Sequence, residues 1–277
     1  MNISAIILSN TIDKKRYDLA CETIRTLTES TDWYGDIYVI ETQDEKHMID
    51  NNYTYECEQV KVIHPNKEFN YNQFLNIGIK ASRKTADWFL LCNNDIEFTE
   101  DWLVNTEIAH KTFPDISSFS FTRSHENPQK NTLVYGYVPI RHVRGWCILI
   151  NKECIDKCSL FDERFPMYYQ DNDLSFTLHE NKMKHALLNG AVVDHMEFQS
   201  ESIARSDNWL IIGCTPTKIM LEKYPGYIPN EEHINGFHLQ VTPDYWTIHA
   251  DYNYNEPHFS GYRKHNLPAE DIIITYP

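Results

Sequence analysis

The sequence is short of positive charge: 25 lysines and arginines stand against 40 aspartates and glutamates, a net charge of −15. That balance excludes a broad electrostatic grip on duplex DNA or on anionic lipid. A disulfide framework is missing too, because the seven cysteines are odd in number and scattered through periodic segments, as reduced thiols are. Cys154 and Cys158 lie on one short stretch with Cys147 nearby, yet a zinc site would need a fourth donor that this spacing does not supply. No apolar run approaches the ~20 residues of a membrane span. The opening Met1-Asn-Ile-Ser-Ala-Ile-Ile-Leu8 carries no basic leader, so a cytoplasmic location is expected. The basic loop Ser9-Asn-Thr-Ile-Asp-Lys-Lys-Arg16 contains no glycine and therefore lacks the backbone cradle that holds a triphosphate. Repeats and low-complexity linkers are absent as well, which favours one domain with a C-terminal extension.

What is present is organised around Asp87-Trp-Phe-Leu-Leu-Cys-Asn-Asn-Asp-Ile-Glu97, an apolar run of strand length that ends in two amides and a carboxylate. Taken alone, the ending reads as an Asn/Asp turn. At the carboxyl end of a buried α/β strand it would instead stand at the mouth of a ligand crevice, where a carboxylate can hold a hard divalent cation and through it phosphate oxygens. The preceding chain alternates. Ile3 to Leu8, Asp36 to Ile40 and Val60 to Ile63 read as strands, and 13–29 and 69–82 as helices, the second capped by Asn70. Such alternation predicts a mainly parallel sheet covered on both faces, with the polar loops Ser9-Asn10, Glu41, His64 to Asn66 and Asn93 to Asp95 gathered on one edge.

Beyond residue 100 the spacing predicts a helix over 101–113 with Thr99 as its cap, and strands over 116–122 and 133–138 that need not be parallel. Arg141 to Ile150 crosses Gly145-Trp146 into another apolar run. A helix opens within Tyr168-Tyr-Gln-Asp-Asn-Asp-Leu174, and 185–195 reads as two short strands joined at an Asn189-Gly190 hairpin turn. Residues 206–224 are amphipathic, and the tail from Tyr227 is rich in Tyr, His, Asn and Pro without clear periodicity.

In this order the motifs resemble a GT-A glycosyltransferase of the inverting family 2 type. The pieces that carry the likeness are Ile6-Ile-Leu-Ser-Asn10, Phe69-Asn-Tyr-Asn-Gln-Phe-Leu-Asn-Ile-Gly-Ile-Lys80, Phe89-Leu-Leu-Cys-Asn-Asn-Asp95, Arg144-Gly-Trp-Cys-Ile-Leu-Ile150, Phe161-Asp-Glu-Arg-Phe-Pro-Met-Tyr-Tyr-Gln-Asp-Asn-Asp-Leu174 and Ala191-Val-Val-Asp-His195. The resemblance implies an α/β GT-A domain over residues 1–200. A C-terminal helix and aromatic, His-rich extension over 201–277 would pack on the same domain, and that extension is a candidate surface for self-association. It further implies transfer of a sugar from a nucleotide-diphosphate sugar, a UDP-sugar in the first instance, to the hydroxyl of a glycan or other acceptor.

Carried over residue by residue, the resemblance makes Asp95 and His195 ligands of Mn²⁺ or Mg²⁺. It makes Asp171 the general base that takes the acceptor's proton. Ser9, Asn10, Glu41, Asn70, Asn76, Asn93 and Asn94 fall around the nucleotide sugar, and Gly145, Trp146 and Asp173 on the acceptor side. Plainer readings stand beside these. Asp171 also suits a helix N-cap, His195 an ordinary hydrogen-bonded histidine, and Trp146 a core indole. The chain departs from the family at Gln170, where Glu is usual and whose neutrality would lower the pKa of Asp171 by removing like-charge repulsion. Glu41 replaces an Asp-Asn pair. Thr177 replaces an arginine, leaving Arg144, Arg205, His258 or Arg263 to neutralise the pyrophosphate. Two alternatives remain open, a nucleotide-sugar-binding protein without turnover and a GT-A-like nucleotidyltransferase.

Overall fold

The computed structural model describes residues 1–196 apart from Asp32, Ile140 and Tyr168, and then 219–220, 222–224, 232–234, 237–241, 246–249 and 272–276. Most of the helix expected over 206–224, and Arg205, His258 and Arg263, lie outside the described residues.

The N-terminal half follows its alternating pattern. Strands β1 (Ile3–Ser9), β2 (Ile37–Glu41), β3 (Val60–Ile63) and β4 (Trp88–Asn93) are mutually parallel in the order β4-β1-β2-β3, with Ile6 opposite Tyr38 on one side and Leu91 on the other. Helices α1 (Lys14–Glu29), α2 (Glu45–Asp50) and α3 (Tyr71–Ser82) are the crossovers, each opened by a side chain that accepts a backbone N–H: Asp13 from Arg16, Asp44 from His47, Asn70 from Gln73.

Because successive strand residues point to opposite faces, β1 divides its apolar residues between two cores. Ile3, Ala5 and Ile7 meet Ala20, Ile24 and Leu27 of α1, while Ile6 and Leu8 meet Phe74, Leu75 and Ile79 of α3. In β4, Trp88, Leu90 and Cys92 join the first core and Phe89 and Leu91 the second. The sheet is thus the middle of three layers.

Past β4 the sheet becomes mixed. After the short β5 (Ile96–Phe98) and helix α4 (Trp102–Thr112) come β6 (Ile116–Thr122), β7 (Thr132–Tyr135) and β8 (Cys147–Asn151). Then follow α5 (Lys152–Cys158), α6 (Gln170–Glu180) and β9 (Lys184–His195). The full order is β13-β7-β9-β6-β8-β4-β1-β2-β3, where β13 (Ile272–Thr275) comes from the C-terminal extension and pairs antiparallel with β7. β8 is antiparallel to β4 and to β6, so β6, and β9 parallel to it, run in the same direction as β4. Backbone strands β10 (Glu232–Ile234), β11 (Phe237–Val241) and β12 (Trp246–His249) form a separate antiparallel sheet.

Two expectations from local pattern fail. Residues 185–195 are one long strand: the pairing with β6 slips from Phe121 opposite Leu188 to Thr122 opposite Val192, so Asn189-Gly190 lies in a bulge. Tertiary contact explains the glycine, because a Cβ there would sit 3.0 Å from the Cα of Lys130 and 3.2 Å from the amide nitrogen of Asn131. Nor does Thr99 cap α4. Its hydroxyl donates to the Val192 carbonyl at 2.7 Å, and Asp101, at a φ of 70°, occupies the cap position without a side-chain capping bond.

Candidate functional site

Parallel direction places the carboxyl ends of β1, β2, β4, β6 and β9 on one edge, which brings Ser9, Glu41, Asn93, Arg123 and His195 to the same rim. Asp95 follows β4 and stands just before β5, whose Ile96 pairs with His195. The backbone there is pinned by side chains: Ile96 N–H donates to Thr23 Oγ1 at 2.9 Å and Phe98 N–H to Thr26 Oγ1 at 3.2 Å, both from α1. Asp95 is 5% exposed, and its Oδ1 lies 3.1 Å from His195 Nε2. That approach is not aligned as a hydrogen bond, which leaves Oδ1 buried without a hydrogen-bond partner.

These two donors fit a hard cation. Cis ligands of an octahedral ion with ~2.1 Å bonds stand ~3 Å apart, and a buried carboxylate oxygen lacking a donor gains most from one. Among the described residues no cluster of three or more His, Cys, Asp or Glu side chains surrounds the pair. Among the described residues the pair thus stands as two ligands, which leaves positions for phosphate oxygens and water.

Trp146, on the loop entering β8, lies flat against His195 with ring centroids 5.4 Å apart and planes 5° apart. The Arg123 guanidinium sits 5.3 Å from the centroid of the same indole. Neighbouring Ser124 N–H donates to Asp194 Oδ1 at 2.8 Å, which fixes Arg123 to the end of β9. The indole that sequence reading placed under an acceptor sugar is thus occupied by a histidine and an arginine of the chain itself.

Tyr71 joins this rim to the helix bearing Asp171. Its hydroxyl proton is shared between Asn93 Oδ1 at 3.1 Å and the Gly145 carbonyl at 3.0 Å. Gly145 in turn lies against Asp171: a Cβ on Gly145 would be 3.3 Å from Asp171 Cβ and 3.8 Å from its Cγ. Burial pushes the Tyr71 hydroxyl up, and the charges that add to the effect include both Asp171 and Asp95. Tyr71 thus lies within electrostatic reach of both carboxylates, Asp95 and Asp171.

Asp171 is not the N-cap of α6. That position belongs to Tyr169, at a φ of 65°, and Asp171 sits inside the first turn with Oδ1 accepting the Asn172 N–H at 3.0 Å. Its pKa is raised to about 6, first by burial, while backbone N–H groups pull the other way. The lowering expected from Gln170 is outweighed. Removing a like charge helps ionisation, but losing water costs more.

Several expected contacts have other partners. Asn76 is 2% exposed, and both ends of its amide are taken by the Phe161 backbone, donating to its carbonyl at 2.8 Å and accepting its N–H at 3.0 Å. Asn70 donates to the Glu163 carbonyl and Asn72 to the Asp162 carbonyl, both at 2.8 Å. This face of α3 thus grips the loop that leads into α6. Glu41 is fully buried, accepting from the backbone of Thr11 and Gln43 and from Tyr55, which also meets Ser9 Oγ at 3.1 Å. Asn10 accepts from Thr42 and Gln43, and Asn94 is half-buried beside Asp95. Asp173, 4% exposed, accepts from Lys223 at 2.7 Å and Tyr224 at 2.8 Å, with its pKa raised by burial. Arg144 is held by Glu126 at 2.6 Å, and Thr177 meets Tyr224 at 3.1 Å.

No family model matches the sequence, and no curated protein matches it. Solved structures do. GalNAc-T7 with UDP, GalNAc and Mn²⁺ superposes with a TM-score of 0.59 at 11% identity, over 82% of this chain and 50% of that one. The chain has the GT-A fold. Residues 1–349 of TarS from S. aureus match as well: in complex with UDP-GlcNAc the TM-score is 0.54 at 13% identity, over 79% of this chain and 67% of that one. Another TarS 1–349 structure gives 0.51 at 12% identity, over 70% of this chain and 59% of that one. The chain thus spans half to two-thirds of the length of these GT-A structures.

Sequence reading missed Tyr71 and Arg123. Tyr71 stands inside a motif already quoted, one position after the Asn70 cap, and Arg123 follows a strand whose parallel direction the apolar pattern alone did not reveal.

Proposed function

We propose that the chain is an inverting glycosyltransferase that moves a sugar from a nucleotide-diphosphate sugar, in the first instance a UDP-sugar, to an acceptor hydroxyl. The observation that carries this reading is the Tyr71 hydroxyl, which donates to Asn93 Oδ1, two residues before Asp95, and to the carbonyl of Gly145, the residue that lies against Asp171, while Asp95 faces His195. The fold supports it, as do the UDP and UDP-GlcNAc named with two of the matching structures.

Asp95 and His195 would hold Mn²⁺ or Mg²⁺. When bound, that cation offsets the negative charge that grows on the departing diphosphate. Asp171 accepts the proton of the acceptor hydroxyl as that oxygen bonds to the anomeric carbon. A pKa of about 6 suits the task, since the carboxylate is ionised at neutral pH yet basic enough to take a proton. Base and leaving group on opposite sides of the sugar give inversion. Asn76 and Asn70 act by holding the loop before Asp171, and Asp173 by anchoring α6 to Lys223 and Tyr224.

The test is a donor screen by mass spectrometry with UDP-, GDP- and TDP-sugars and Mn²⁺. At least one donor is expected to be consumed by the native chain and spared by Asp171→Asn. Metal-dependent nucleotide binding with no donor consumed would instead favour a binding protein without turnover. Full activity in Asp171→Asn would remove the assigned base.

A further inference from the structure

The described cysteines include two facing pairs that differ in access. Cys92 of β4 and Cys147 of β8 stand opposite each other in the sheet, both fully buried, where a dissolved reagent does not reach them. Cys154 and Cys158 lie one turn apart on α5 with their sulfurs 3.8 Å from each other. Of these, Cys154 is fully buried and Cys158 half-buried.

We propose that Cys154 and Cys158 form a modification site, a dithiol that a low-molecular-weight disulfide converts reversibly to an internal disulfide, and that closing it loosens the loop before α6. The unequal access sets the order of events. Cys158, as its thiolate, attacks one sulfur of the reagent; the reagent's S–S bond breaks, a mixed disulfide forms on Cys158, and one reagent thiolate leaves with the proton shed by Cys158. Cys154 then gives up its own proton and attacks the Cys158 sulfur, and the second reagent thiolate departs with that proton. Two protein thiols are oxidised and one reagent disulfide is reduced to two thiols. The first step is favoured by the hydrogen bond from Cys154, which lowers the pKa of Cys158, with the charges of Lys157 and Lys223 adding to the effect. The same bond, together with burial, raises the pKa of Cys154, so the inner thiol is inert until its neighbour has reacted.

Geometry supplies the consequence. Residues four apart on a helix hold their Cβ atoms about 5–6 Å apart, whereas a disulfide holds them at about 3.5–4.5 Å. Closure therefore draws in the last turn of α5, which ends at Cys158. Directly beyond it, Ser159 and Leu160 both have a φ of 67°, left-handed backbone without glycine, and both donate their N–H groups to the Ile155 carbonyl. Such a turn persists only while its surroundings hold it, and the turn being drawn in carries that carbonyl. Phe161 follows in the grip of Asn76, and Asp162 in that of Asn72 and Lys223, so the disturbance enters the segment that leads to α6.

The experiment treats the native chain, Cys154→Ala and Cys158→Ala with glutathione disulfide and reads mass and amide hydrogen exchange. The native chain is expected to lose two hydrogens on the peptide carrying both cysteines and to regain them with dithiothreitol. Cys154→Ala should keep a glutathione adduct on Cys158, and Cys158→Ala should form neither product on this helix. The adduct should form about tenfold faster or more on Cys158 than on half-buried Cys21, whose pKa burial raises. In the disulfide form, amides 159–163 should exchange at least about tenfold faster than in the dithiol form. A lasting glutathione adduct on native Cys158 without internal closure would overturn the pair. Unchanged exchange over 159–163 in the disulfide form would overturn its coupling to the loop. A fall in turnover on oxidation with nucleoside diphosphate affinity unchanged is expected as well; that arm alone rests on the glycosyltransferase reading, and a native chain without turnover would remove that reading while the mass and exchange results stand.

Discussion

The two sides of the proposed site, one bearing Asp95 and the other Asp171, are built differently. On the Asp95 side strand pairing does most of the holding: β4 is flanked by β1 and β8 and β5 lies against the end of β9, with two threonine side chains of α1 taking the outward N–H groups of β5. On the Asp171 side, side chains do it. Amides of α3 grip residues 161–163, and Lys223 with Tyr224 holds the first turn of α6 through Asp173. A wall made of ladder hydrogen bonds is cooperative and hard to shift by one substitution, whereas a wall made of single side-chain bonds is adjustable residue by residue. The first suits a fixed cation and nucleotide. The second suits an acceptor that has to be selected.

Substitutions that act on one wall alone test this contrast. Asp171→Asn should lower turnover about 10²- to 10⁴-fold and leave nucleoside diphosphate affinity unchanged. The same variant should be more stable than the native chain. The folded carboxyl titrates at about 6 against an ordinary 3.8, so between those values the folded chain binds more protons than the unfolded one. Stability is therefore full below the ordinary value and falls as pH rises through about 6; removing the charge should restore roughly 1–3 kcal/mol above pH 7, read by denaturant unfolding. Turnover by the native chain should run the opposite way, dropping about tenfold per pH unit below about 6.

Next in size is Asn76→Ala, which strands the buried N–H and carbonyl of Phe161 and should cost about 2–4 kcal/mol. If the walls are independent, kcat falls while nucleotide affinity holds; an equal fall in both would break the comparison. Lys223→Met leaves Asp173 buried with Tyr224 as its side-chain donor among the described residues and should cost about 2 kcal/mol, less than a fully buried pair because Lys223 is 27% exposed. The smallest effect, about 1 kcal/mol, is expected for Tyr71→Phe. As the residue that touches both walls, it alone of these should disturb nucleotide affinity and kcat together.

The same contrast explains what could be read from the sequence. Asn70 as a cap, the parallel strands and the rim position of Asp95 follow from local pattern, because alternation and caps are short-range signals. Asn76 looked like a ligand contact because its partner, Phe161, is a backbone group far along the chain that no spacing encodes. Asn189-Gly190 looked like a hairpin because the turn signal is local, while the approach of Lys130 and Asn131 that demands the glycine is tertiary. Arg123 stayed hidden until the direction of β6 was known.

The most direct test of the two-walled site is titration of a nucleoside diphosphate with Mn²⁺ into the native chain, Asp95→Ala and Asp171→Asn. The account predicts that Asp171→Asn binds as the native chain does, and that Asp95→Ala loses the metal-dependent part of the affinity. Equal losses in the two variants, or no loss in Asp95→Ala, would contradict it.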